Sequence, residues 1–170
     1  MIFAVYVDDT IICSNDKSVL FAEKKRLSEE YEMDDRGEVH HILGMEVIRD
    51  REKRILTIDQ KTYLEDVLKR FGMEDCRPVG TPIEPGKNFT KLRDDEEPAD
   101  ETLYQAAVGS LNYAAIATRP DLSTAVGKLS QYMKNPSNEH WVAIKRVLRY
   151  IKGTLNFGLK FTSSDSFALT

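Results

Sequence analysis

The chain has 170 residues, 41% hydrophobic and 31% charged, with a net charge of −4 and a pI near 5.5. That balance suits one globular domain and excludes a disordered polyelectrolyte, a membrane-spanning helix bundle and a uniformly basic nucleic-acid binder, while leaving room for a local basic face. Cys13 and Cys76 fit neither a disulfide framework nor a zinc spacing, and the N-terminus lacks the basic-then-apolar order of a signal peptide, so an intracellular chain (cytoplasmic or nuclear, not secreted) is expected.

Residues 2–7 and 10–13 are short apolar, β-branched runs that read as two strands, with Asp8-Asp9 between them as a hairpin tip. Both arms are apolar at consecutive positions, which predicts a hairpin covered on both faces and central in a sheet. Asn15-Asp16 can cap a helix over about 17–33, carrying Leu20, Leu27 and Tyr31 near one line. Residues 39–48 and 54–58 read as strands around the polar turn at 49–53, and Asp59 is expected to cap a helix with Tyr63, Leu64, Val67, Leu68 and Phe71 at helical spacing, stopped by Gly72.

From 73 to 100 the chain is irregular, with Pro78, Pro82, Pro85 and Pro98 and the acidic run Asp94-Asp95-Glu96-Glu97, which marks a linker or subdomain boundary. Three helices should follow. The first spans about 103–117 and is broken at Arg119-Pro120. The second is capped by Asp121 and broken at Asn135-Pro136. The third spans about 138–152 and ends before Gly153. A strand over 157–161 and a polar tail close the chain, and there is no internal repeat.

Adjacent carboxylates on a hairpin tip suit phosphoryl transfer assisted by divalent ions, because hard cations such as Mg²⁺ take one or two carboxylates and keep their other positions for water and phosphate oxygens. On the dipeptide alone, an Asp-Asp pair between apolar runs is usually a solvated hairpin turn, and spacing by itself decides nothing. Tyr6, just before the pair, can shape a floor for a nucleotide or primer end.

The run Tyr6-Val7-Asp8-Asp9 is similar to the YxDD motif of reverse transcriptases. Leu43-Gly44-Met45-Glu46-Val47 looks like the hairpin called the primer grip. The stretches from Tyr63 to Met73 and from Cys76 to Pro82 resemble the thumb segment of copia-type LTR retrotransposon Pol polyproteins. The runs Val108 to Tyr113, Thr118 to Asp121 and His140 to Thr154 resemble the segment that follows it. Single pieces are weak, but their common order along nearly the whole chain is specific.

The resemblance implies an RNA-directed DNA polymerase, a nucleotidyltransferase using two Mg²⁺ ions, a template–primer of RNA and DNA and a deoxynucleotide. It implies an α+β fold: a partial palm and thumb over 1–90, an acidic, proline-containing linker over 91–102, and a helical connection-like segment over 103–170 leading towards RNase H. It makes Asp8 and Asp9 the catalytic, metal-binding pair and places Tyr6, Val7, Leu43, Gly44 and Met45 beside nucleotide or primer. The family's virus-like particle sets a cytoplasmic expectation. A third carboxylate, on a motif the family carries before YxDD, has no counterpart within these 170 residues. The expected reading is therefore a polymerase segment with weak or absent metal binding and no activity alone. The alternative is a non-catalytic retroelement remnant, at most a nucleic-acid-binding or interaction module.

Lys145, Arg149 and Lys152 recur at i, i+4 and i+7 on the last predicted helix, a stripe that can meet phosphates of a duplex or stand as an ordinary solvated face. Gly44 inside a strand run predicts a bulge or a close backbone approach. His40 and His41 point to opposite faces of a strand and make a poor metal pair. Trp141 is expected as a core anchor, Cys13 as a buried strand residue and Cys76 as a loop thiol. Unpaired strand edges beside the acidic hairpin predict self-association.

Overall fold

A computed structural model describes residues 1–163 and divides the chain into two compact units, residues 1–40 and the remainder from His41 onward. It is mixed α and β with antiparallel sheets, and among the described residues no helix is long and apolar enough to cross a membrane.

The first unit holds strands β1 (Ile2–Tyr6) and β2 (Asp9–Cys13), paired antiparallel from Ile2 with Cys13 to Tyr6 with Asp9. The connecting turn is therefore Val7-Asp8, one residue earlier than the tip expected from the sequence. Among the described residues these two strands form a sheet of their own. The prediction of a hairpin covered on both faces does not hold here: Ile2, Val5 and Val7 are 71, 70 and 81% exposed, and Cys13 is exposed, not buried. Alternation by two puts apolar side chains on both sides of the ribbon, and only Thr10, Ile11 and Ile12 of its strands are even half-buried.

Helix α1 (Lys17–Glu30) follows. Asp16 caps it, its carboxylate accepting from the Ser18 backbone N–H at 2.8 Å and hydroxyl at 2.7 Å, which holds that carboxyl below its ordinary pKa. The helix ends at Glu30, three residues before the expected stop. No residue of this unit is buried, and α1 is supported by pairs such as Lys25–Glu29 and Lys24–Asp35.

The second unit has strands β3 (His41–Ile42), β4 (Met45–Asp50), β5 (Ile55–Asp59) and β6 (Gly158–Thr162), hydrogen-bonded in that order as an antiparallel sheet. The expected single strand over 39–48 is instead a tight hairpin, because Leu43 and Gly44 lie at φ 50° and 69° and reverse the chain. The glycine serves this turn, not a bulge. At the other edge a Cβ on Gly158 would lie 2.5 Å from the Ile58 carbonyl oxygen, so only glycine lets β6 close against β5 there.

The core of this unit is helical. Helices α2 (Lys61–Arg70), α3 (Glu101–Ala117), α4 (Ser123–Ser130) and α5 (Asn138–Gly153) bury Leu64, Val67, Leu68, Tyr104, Leu111, Leu129, Ile144, Leu148 and Ile151 in one cluster. Trp141 is half-buried at its rim, edge-on to Phe71. Gln60, not Asp59, is the N-cap of α2, although the Asp59 carboxylate accepts from the Lys61 N–H at 3.1 Å.

Asp121 does not cap α4 either. It lies in a 3₁₀ turn (Pro120–Leu122), and its two carboxylate oxygens accept from Nε and Nη2 along one edge of the Arg119 guanidinium, at 3.0 and 2.8 Å. Arg119 is fully buried and also donates to the Thr154 carbonyl and hydroxyl at 3.1 and 2.7 Å, between the rings of Tyr150 and Phe157.

Helix α5 begins with a reciprocal cap: Ser137 receives the His140 N–H, and the Ser137 N–H donates to His140 Nδ1 at 2.8 Å. Burial pushes the His140 imidazole below its ordinary pKa, consistent with a neutral acceptor nitrogen. Ser137→Ala should lower the unfolding free energy in urea by about 1 kcal/mol. An unchanged midpoint would show that the cap contributes nothing.

The irregular segment runs along the helices. The Arg149 Nε donates to the Arg77 carbonyl at 2.7 Å, Arg146 to Thr81 and Glu84, and the Tyr132 hydroxyl to the Phe89 carbonyl at 2.8 Å.

Candidate functional site

A two-residue turn forces the placement of the acidic pair. Tyr6 and Asp9 close the ladder and face each other in register, so Asp8 stands in the turn itself and Asp9 heads the outgoing strand. Val7 is held at φ 51°, a region that a β-branched side chain resists. Tyr6, Val7, Asp8 and Asp9 are all exposed, and among the described residues neither carboxylate has a hydrogen-bond or ion-pair partner.

The donor set fits a hard divalent cation in kind, since both groups are carboxylates with open oxygens. It does not fill a cage: among the described residues no group of three or more His, Cys, Asp or Glu could hold a metal ion. The apex can supply two ligands and leave the rest to water and substrate oxygens.

The second hairpin belongs to the other unit. Leu43 and Gly44 form the turn between β3 and β4, and Met45 opens β4. The Tyr113 hydroxyl, on α3, donates to the Leu43 carbonyl, and the Thr62 hydroxyl, on α2, donates to the Glu46 carboxylate at 2.6 Å. Tyr113 had been visible in the sequence only as part of a motif. Its partner lies 70 residues away, so no local pattern could reveal the link.

On α5 the basic stripe is only partly free. Lys145 stands over the Trp141 ring, 5.7 Å from its centroid. Arg149 spends its Nε on the Arg77 carbonyl, as its neighbour Arg146 spends its guanidinium on Thr81 and Glu84. Arg149 and Lys152 lie close enough to Cys76 to pull its thiol pKa down, but burial outweighs them and pushes it up. Of the three stripe cations, Arg149 is thus a structural clamp, Lys145 lies over an aromatic ring and Lys152 is half-buried.

Comparison with known proteins points the same way. Residues 1–85, half of the 170, match the family model "Reverse transcriptase (RNA-dependent DNA polymerase)". The chain is 39% identical to the retrovirus-related Pol polyprotein from transposon TNT 1-94 of Nicotiana tabacum, over 97% of its own length and 13% of the relative's. It is 39% identical to that from transposon RE1 of Arabidopsis thaliana, over 97% and 11%. It is 31% identical to a putative transposon Ty5-1 protein of Saccharomyces cerevisiae, over 98% and 54%. The chain thus spans about an eighth of the two Pol polyproteins. No solved structure matches it.

Proposed function

The chain belongs to the reverse transcriptase (RNA-dependent DNA polymerase) family of retrotransposon Pol polyproteins, and from that premise we propose that its two hairpins are the cation-holding and primer-holding parts of a template-directed DNA polymerase. The observation that carries this reading is the β1–β2 apex: adjacent, exposed, uncompensated carboxylates on a turn that keeps Val7 in a strained conformation.

In this reading residues 1–90 are partial palm and thumb, 91–102 a linker, and 103–170 a connection-like segment, of which the last seven residues lie outside those described. The reaction joins the primer 3′ oxygen to the α-phosphorus of a deoxynucleotide and releases pyrophosphate. A bound divalent cation would stabilise charge on the attacking and leaving oxygens. Asp8 and Asp9 supply carboxylate oxygens to that cation, and Tyr6 and Val7 flank the place where nucleotide and primer end meet. Leu43, Gly44 and Met45 border the primer strand, while Lys145, Lys152 and the remaining donors of Arg149 face phosphates. The 170 residues carry two acids of this centre, so full polymerase activity is assigned to the Pol protein and not to this stretch. Self-association through the apolar edges of β1 and β2 belongs to the same proposal, supported by their exposure.

The test is a sign. The chain is titrated with an RNA template–DNA primer in Mg²⁺, and the double variant Asp8→Asn/Asp9→Asn is compared with it. Two ligands that hold a cation against phosphate make the variant bind several-fold more weakly, whereas two solvated acids merely repel the polyanion, so neutralising them tightens binding. Tighter or unchanged binding in Mg²⁺ would overturn the assignment.

A further inference from the structure

Two turn types join hairpin strands through two residues, and they differ in the orientation of the peptide corresponding to Leu43–Gly44. With both φ values positive it is type I′. The type II′ alternative keeps Leu43 positive, turns Gly44 negative and flips the peptide between them. That form asks of Leu43 a backbone region open essentially to glycine, so leucine at the first turn position already disfavours the flip.

A second restraint comes from α3. The oxygen that a flip would move, the Leu43 carbonyl, is the one that accepts the Tyr113 hydroxyl. Tyr113 is itself fixed. Its ring meets Tyr63 of α2 edge-on, with centroids 5.1 Å apart and planes at 84°, and the Tyr63 hydroxyl donates to the Ser110 carbonyl at 3.1 Å. A Cβ on Gly44 would lie 4.0 Å from the Tyr113 hydroxyl oxygen, so the turn backbone passes directly over it. The peptide is trans and planar. A carbonyl directed at α3 therefore aims the Gly44 N–H the opposite way, towards whatever strand lies along the turn.

We propose that Tyr113 is a positioning residue for the primer end, holding the Leu43–Gly44 peptide in the orientation that presents its N–H donor to a primer phosphate. The inference rests on the reading of this hairpin as the primer-bordering element. It gives α3 a role in polymerisation that touches no reacting atom and acts through one backbone carbonyl.

The test uses Tyr113→Phe, which keeps the ring and its edge-on contact and removes only the hydroxyl. Binding of the chain to a recessed RNA–DNA primer–template and to a blunt duplex of the same composition is measured in Mg²⁺. Tyr113→Phe should weaken the recessed substrate about fivefold, the worth of one hydrogen bond, with binding to the blunt duplex unchanged. Tyr63→Phe, which loses the Ser110 bond and leaves Leu43 alone, should keep the preference for the recessed end. As a second readout, amide exchange at Gly44 should quicken in Tyr113→Phe and not in Tyr63→Phe. An unaltered preference, or an equal loss on both duplexes, overturns the positioning role. A wild-type chain that shows no preference for the recessed end overturns the primer reading itself, and the role of Tyr113 falls with it.

Discussion

Replacing Asp121 by asparagine is expected to destabilise the second unit by about 1–3 kcal/mol, measured as a fall in the urea midpoint at unchanged slope. The two partners are unequal. The Arg119 side chain is 1% exposed and that of Asp121 34%. Asparagine keeps the shape but leaves a guanidinium in the interior facing a neutral amide, and an uncompensated buried charge is the expensive case. The cation also ties Thr154 at the end of α5 to the 3₁₀ turn, so the loss should spread to the β6 side. Adding Arg119→Met removes the stranded charge, and the double variant should recover part of the loss. A double variant less stable than Asp121→Asn would argue against this account.

The same pair predicts an acid limb. Burial alone would raise the Asp121 carboxyl, but the Arg119 hydrogen bond and charge, helped by the Tyr150 hydroxyl at 3.0 Å, hold it below the usual carboxylate value. A depressed native pKa gives stability that is complete above the unfolded value, about 3.9, and is lost as pH falls below it. Wild type should therefore lose midpoint below about pH 4 more steeply than Asp121→Asn.

Leu111→Ala should cost about 2–5 kcal/mol, the range for a leucine emptied from a closed core. Leu111 is completely buried on α3 within the cluster that α2, α4 and α5 complete. The helix backbone cannot collapse into the space because Val108 and Ala115, on the same face, are held in the same cluster. The contrasting substitution is Ile2→Ala. Ile2 is just as apolar in type but 71% exposed, and its change should stay within about 0.5 kcal/mol. Similar losses at both positions would mean that the hairpin and the helical core unfold as one cooperative body.

That contrast locates what the sequence could and could not convey. Local rules found Asp16 as a cap, the helical spacing of Leu64, Val67 and Leu68, and the breaks at Gly72 and Pro120, because each depends on neighbours within a turn or two. Burial of β1 and β2 was misjudged because an apolar run reports what a strand would bury, not whether a covering layer is present in the same unit. Apolar pattern alone read 39–48 as one strand, and only the family resemblance pointed to a hairpin at Leu43, because leucine seldom takes positive φ and the tyrosine bonded to that turn comes from α3. Asp121 was read as a cap since aspartate before a helix usually is one, but a buried arginine two residues earlier outcompeted the helix N–H groups. Arg149 looked like a surface cation because its acceptor, the Arg77 carbonyl, is remote in sequence. The acidic pair was placed correctly on a hairpin, and its turn was misplaced by one residue.

An isolated two-stranded ribbon is marginal in water, and the one bearing Asp8 and Asp9 has no interior of its own. If Asp8 and Asp9 hold a cation as proposed, their ligand geometry exists for a fraction of the time, and apparent cation affinity is discounted by that fraction. Whatever shelters these strands would then, by reciprocity, sharpen ion capture, and a captured ion would strengthen the shelter. On that proposal, metal loading of the hairpin is a report on assembly.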